Sequence, residues 1–199
     1  MRPLLLPIVI ASTTAHAEPA PDLATPMRDS TSVTIAATRE ATQYQPSQGL
    51  RVELNVLELY GWTFGGALSL AQGKLGIYDG SQTALLHTTD TKATAYIARS
   101  ARFAHWNLAG LVGAGAIHTS ASGDMIDHST MQPVHDSRLF PTVEASVRAT
   151  VPISAHWSVT GGPMLTYLHQ TFQFYNAGPN GPTHRDGELM LLLGLSYRL

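Results

Sequence analysis

The residues of this 199-residue chain that are equipped for chemistry fall into three groups. His118-Thr119-Ser120 and His169-Gln170-Thr171 each set an imidazole two positions from a hydroxyl, and Glu188 follows the second pair. A hydroxyl, an imidazole and a carboxylate within hydrogen-bond reach make an activated nucleophile for hydrolysis. A second group gathers His118, His128 and His135 with Asp124, Asp127 and Asp136, with His87 and His184 in neighbouring segments. Imidazole nitrogen and carboxylate oxygen suit zinc, copper or nickel, but no pair has the i, i+4 or H-x-H spacing that fixes geometry locally. A polar, His-rich loop is therefore expected there, with no metal and no cofactor assigned. The third group is Arg51, Glu53, Arg102, Glu144 and Arg148, oppositely charged residues whose meaning depends on which way they face.

Other chemistries lack their residues. There is no cysteine, hence no thiolate nucleophile, disulfide scaffold or zinc knuckle. Neither a phosphate-cradling G-x-x-x-x-G-K-[ST] nor an H-E-x-x-H or G-x-S-x-G motif occurs. A formal net charge of −2 gives no basic surface for nucleic acid. Only 13% of the residues are charged, about half the roughly 25% of an ordinary soluble domain.

The elements that must position these groups start after an export signal. Arg2 precedes the apolar run Leu4 to Ala11, and Ala15-His16-Ala17 supplies an A-x-A ending, so residues 1–17 read as a signal peptide cut after Ala17. Residues 18–30, with Pro19, Pro21 and Pro26, form a leader with no period able to bury a face. Residues 31–199 then alternate. Leu189, Leu191, Leu193, Leu195, Tyr197 and Leu199 share one side of a strand, as do Leu139, Val143, Val147 and Val151 of another.

Turn residues divide the rest into eight strands. Rising strands are expected at about 31–41, 63–78, 107–119 and 156–174, and falling ones at about 50–60, 92–103, 138–151 and 187–199. Short connections at Gly61-Trp62, 104–106 and 152–155 alternate with long polar ones at 42–49, 79–91, 120–137 and 175–186. Trp62, Trp106 and Trp157 fall at the short connections with Tyr60, Phe64, Phe103 and Tyr197, while Tyr78, Phe140, Phe172, Phe174 and Tyr175 lie near the opposite ends. Rings gathered in this way suit the two interfaces of a membrane. The fold class expected is an all-β, eight-stranded antiparallel up-and-down transmembrane barrel. A soluble lipocalin-like barrel or sandwich around an internal ligand is the alternative, since it too alternates apolar and polar residues.

With signal, alternating strands, Trp-bearing short turns and an apolar closing strand, the chain resembles the small outer-membrane β-barrels of the OmpA transmembrane-domain and OmpX type. That resemblance implies partners in outer-membrane lipid and lipopolysaccharide, and a bacterial outer-membrane location. It also implies an assembly signal read by the insertion machinery at Leu191, Leu193, Leu195, Tyr197 and Leu199, although the family usually closes on an aromatic residue where this chain has Leu199. Trp62, Trp106, Trp157 and Tyr197 become its interfacial girdle. An eight-stranded barrel is filled by side chains, so Arg51, Glu53, Arg102, Glu144 and Arg148 are expected to neutralise one another in the lumen, with Arg198 near its short-turn end. The expected role is structural or interactive, through outside loops in adhesion or envelope integrity, rather than catalytic. The alternative enzyme is a lipid A deacylase. That family's His-x-Ser pair lies in the last hairpin, where this chain has His169, Thr171 and Glu188, while His118 and Ser120 match in spacing but lie in an earlier hairpin.

Overall fold

The computed structural model describes residues 31–40, 47–78, 83–127, 132–172 and 183–199. These form a closed barrel of eight antiparallel strands, each paired with its sequence neighbours, and β1 closes against β8. The strands are β1 (Ser32–Glu40), β2 (Gln48–Leu59), β3 (Trp62–Tyr78), β4 (Thr83–Arg102), β5 (Asn107–Asp127), β6 (Gln132–Pro152), β7 (Trp157–Phe172) and β8 (Thr183–Arg198). The proposed signal peptide and leader lie outside the described residues.

Alternation gives the wall its two faces. On β8, Leu191, Leu193 and Leu195 point outward and are 56%, 66% and 49% exposed, while Met190 and Leu192 between them are buried. Ile35, Leu50, Val52, Leu68, Leu70, Val143 and Leu165 continue the apolar outer belt around the barrel. The inner face is mostly polar: Thr34, Thr38, Arg51, Glu53, Lys92, Thr94, Thr142, Glu144, Arg148 and Thr166 are all buried. Apolar outside and polar inside is the pattern of a membrane barrel, because lipid solvates the outer wall and the lumen must satisfy its own polar groups.

The short connections are tight for identifiable reasons. Tyr60 and Gly61 both have positive φ, 51° and 75°, and Leu59 pairs with Trp62. This is a two-residue hairpin, in which positive φ at both central residues gives the turn a twist compatible with the flanking strands. The turn is thus Tyr60-Gly61, and Trp62 already opens β3. Between β4 and β5, Phe103 N–H donates to Trp106 O at 2.9 Å, and between β6 and β7, Ile153 N–H donates to Trp157 O at 2.8 Å.

Two of the long loops expected from sequence are largely strand. β4 begins at Thr83 rather than 92, β5 runs to Asp127, and β6 begins at Gln132. Most of 79–91 and 120–137 is thus hydrogen-bonded wall. These segments carry Thr, Ser, His and Asp and look like loop, but cross-strand pairing satisfies their backbone and their outer face needs only water. The 21 residues of β5 measure roughly 70 Å at about 3.3 Å each, or about 50 Å of height at a tilt near 40°, twice an apolar band of about 25 Å.

Candidate functional site

Arg51 and Glu53 occupy successive inward positions of β2, and Glu144 and Arg148 occupy inward positions of β6 on the far side of the lumen. Arg51 donates through Nη1 to Glu144 Oε2 at 3.1 Å and through Nη2 to Oε1, a two-pronged contact across the barrel. Its Nε pairs with Glu53, whose second oxygen takes Arg148 Nη1. Lys92 Nζ lies 3.1 Å from Glu144 and donates to Thr166 Oγ1 at 3.0 Å. Thr94 also donates to Glu144, at 3.1 Å, and Arg51 Nη1 reaches Ser69 at 3.2 Å. Glycine makes room for this crowd: a Cβ on Gly113 would lie 3.2 Å from Glu144 Cγ and 3.1 Å from Tyr96 Cβ.

Four of the five expected lumen charges therefore meet, and Arg102 does not. It is exposed at the short-turn end, ten residues along β4 from Lys92, or roughly 33 Å at strand spacing. Lys92 supplies the β4 charge instead. It shares the inward phase of Thr94, Tyr96 and Ala98, so its direction is legible from sequence once β4 is extended past it. In a strand expected to start at 92, it is a terminal residue with no neighbour on its far side to mark it as lumenal. Asp90, accepting from Thr119 at 2.5 Å, and Glu188 are further buried inward carboxylates.

The lumen differs on the two sides of this network. Beyond it, away from the short turns, Leu86, Ala121, Thr119 and Leu168 have no exposed surface, and Ile117 almost none. Toward the short turns lies a cavity of about 330 Å³, floored by Glu53 and Arg148 and ending at Arg102, His156 and Arg198. Its walls carry hydroxyls: Thr34 and Ser196 bond each other at 2.5 Å, and Thr150 donates to Thr160 at 3.0 Å. Tyr96 hydroxyl donates to Asn55 at 2.8 Å, its ring lying where a Cβ on Gly65 would be.

The girdle residues gather at that end. Arg99 stands 5.3 Å over the Trp62 ring, Phe103 and Trp106 stack at 4.3 Å, and Trp157 and Tyr197 meet at 4.8 Å. At the other end Phe140, grouped from sequence with the rings near the strand ends, lies on the strand face that alternation gives to Glu144 and Arg148. It pairs with Ile117, which is buried, so both point inward. Phe174 and Tyr175 lie outside the described residues, as does His128.

The remaining chemical groups are placed as follows. His118 faces outward with its Nε2 2.8 Å from Ser137 Oγ, whereas Thr119 faces inward to Asp90. His135 is exposed, and Asp136 pairs with Arg138. Among the described residues no group of three His, Asp or Glu is arranged to hold a metal. Glu188 lies inside the wall while His118 and Ser120 follow the outer phase of β5, so barrel wall separates that pair from this carboxylate.

No family model and no curated protein sequence matches the chain. Its fold matches that of a major outer membrane protein from Thermus thermophilus with a TM-score of 0.59 at 16% identity, covering 85% of this chain and 99% of the other. The fold is that of an outer-membrane β-barrel. Weaker likenesses link the barrel to Ail, the attachment invasion locus protein of Yersinia pestis, at TM-score 0.46 and 17% identity over 88% of this chain and all of Ail. Neisserial surface protein A is similar at TM-score 0.46 and 11% identity, over 88% of this chain and all of the other.

Proposed function

We propose that this chain is a bacterial outer-membrane barrel whose lumen is a structural plug and whose work is surface contact, through the wall that rises above the apolar belt. One observation carries this reading. Outward residues of β3 to β6 change together from apolar to polar: Gln72, Thr89, Ser120 and Ser137 are paired in one row, and Lys74, His87, Ser122 and His135 in another. Lys74, His87, Ser122 and His135 are all exposed. A polar, cation-bearing collar above an apolar wall fits the boundary where hydrocarbon gives way to phosphate and sugar, so lipopolysaccharide is its first partner and a surface ligand its second. The short turns then face the periplasm, export proceeds by cleavage after Ala17, and Leu191 to Leu199 meet the insertion machinery before they meet lipid.

The role is non-catalytic in this reading: His118 and Ser137 form a hydroxyl–imidazole pair, but among the described residues no carboxylate is bonded to the imidazole to complete a triad. The test fractionates cells expressing the protein and compares gel mobility with and without boiling. A heat-shifted species in the outer membrane is expected, and recovery in the soluble periplasm would overturn the reading. The collar is tested by replacing Lys74, His87 and His135 with Glu. Loss of cell attachment or of lipopolysaccharide co-purification, with the heat shift retained, is expected.

A further inference from the structure

The cavity at the short-turn end serves neither the plug nor the collar, yet its lining is specific. Arg148 at its floor is 6% exposed. One of its nitrogens is tied to Glu53, and its Nε has no hydrogen-bond partner among the described residues. Arg102 and Arg198 line the outer part of the same cavity. Both oxygens of Glu53 are occupied, by Arg51 and Arg148, which leaves Glu58 as the lining carboxylate to set against those two outer arginines. Thr160 accepts from Thr150, so its own proton is free to point inward.

We propose that this cavity binds a phosphate-class oxyanion from the periplasmic side. Arginine has donors and no acceptor, and its planar fork suits phosphate oxygens. A ligand oxygen would bond the part of the Arg148 guanidinium that lines the cavity, the Thr160 hydroxyl would give a second bond, and Arg102 and Arg198 would neutralise the charge at the entrance. At about 330 Å³ the space holds such an ion with waters around it. Eight strands wall it off from the bilayer, so the source is a soluble anion rather than a lipid headgroup.

Isothermal titration calorimetry supplies the readout. The protein in a non-ionic detergent is titrated with inorganic phosphate against chloride at constant ionic strength. A saturable heat of binding is expected, with half-saturation on the order of 1 mM. Arg102→Gln, at an exposed position, should weaken it at least fivefold, and Arg148→Lys, which keeps the charge but removes the planar fork, at least tenfold. If Arg148→Lys fails to fold, Thr160→Val takes its place, with an expected threefold weakening. A linear response, or saturation unmoved by Arg102→Gln, would overturn the site. Repeating the titration in nanodiscs of phosphatidylcholine and of phosphatidylglycerol should leave the half-saturation point unchanged. Occupancy supplied by phosphatidylglycerol alone would overturn the soluble source.

Discussion

The two halves of the lumen are built from the same alternating strands and differ in how they are filled. Above the network, Leu86, Leu168 and Ile117 are packed to exclusion; below it, hydroxyls surround open space. A packed half resists passage and gains stability from contacts, whereas a hydroxyl-lined half gains little from contacts and keeps water. The charged layer of Arg51, Glu53, Lys92, Glu144 and Arg148 separates them. Buried ion pairs of this kind fix geometry more than they add stability, since desolvation offsets most of their attraction. The far half of the lumen therefore offers a ligand no space, whereas the short-turn half does.

Breaking the dividing layer should have the largest effect. Glu144→Ala leaves Arg51 and Lys92 short of their shared carboxylate, and a loss of about 3–5 kcal/mol in unfolding free energy is expected from urea titration in lipid. Next comes the packed half: Leu168→Ala should cost about 3 kcal/mol by the same measurement, because neither lipid nor water fills the void. The matched change in the open half, Thr150→Ala, removes one hydrogen bond beside existing space and should cost about 1 kcal/mol. Equal losses at Leu168 and Thr150 would erase the distinction between the halves. Asp136→Asn, at the partly exposed pair with Arg138, should change stability by less than about 1 kcal/mol.

Conductance sharpens the same contrast without an energy scale. In planar bilayers a Glu53→Ala/Arg148→Ala variant should deepen the lower cavity and yet pass no steady current, because Leu86, Ile117 and Leu168 still close the upper half. A current in that variant would show that the charged layer alone had been the barrier.

Strand phase was legible wherever one face met lipid, as in Leu189 to Leu199, because a one-residue slip would turn every leucine inward. The same rule selected Arg51, Glu53, Glu144 and Arg148 as inward. It failed for the upper strands at 83–91 and 120–127. There water replaces lipid outside, so no apolar alternation marks the outer face, and Thr, Ser and His read as loop. Phe140 shows two sequence signals in conflict: a ring near a strand end suits an interface, but alternation sets it on the face of Glu144 and Arg148, and its pairing with Ile117 confirms that it points inward.

What the sequence determined by itself was the alternation, the short Trp-bearing turns and hence an eight-stranded wall, since backbone period and turn chemistry are local properties. Which inward charges meet was decided by tertiary structure alone. Arg102 and Lys92 share a strand and a phase, and only the stagger between β2, β4 and β6 brings Lys92 to Glu144 while leaving Arg102 at the mouth of the cavity. Contact between strands far apart in the chain depends on the closure of the barrel, and no local pattern encodes it.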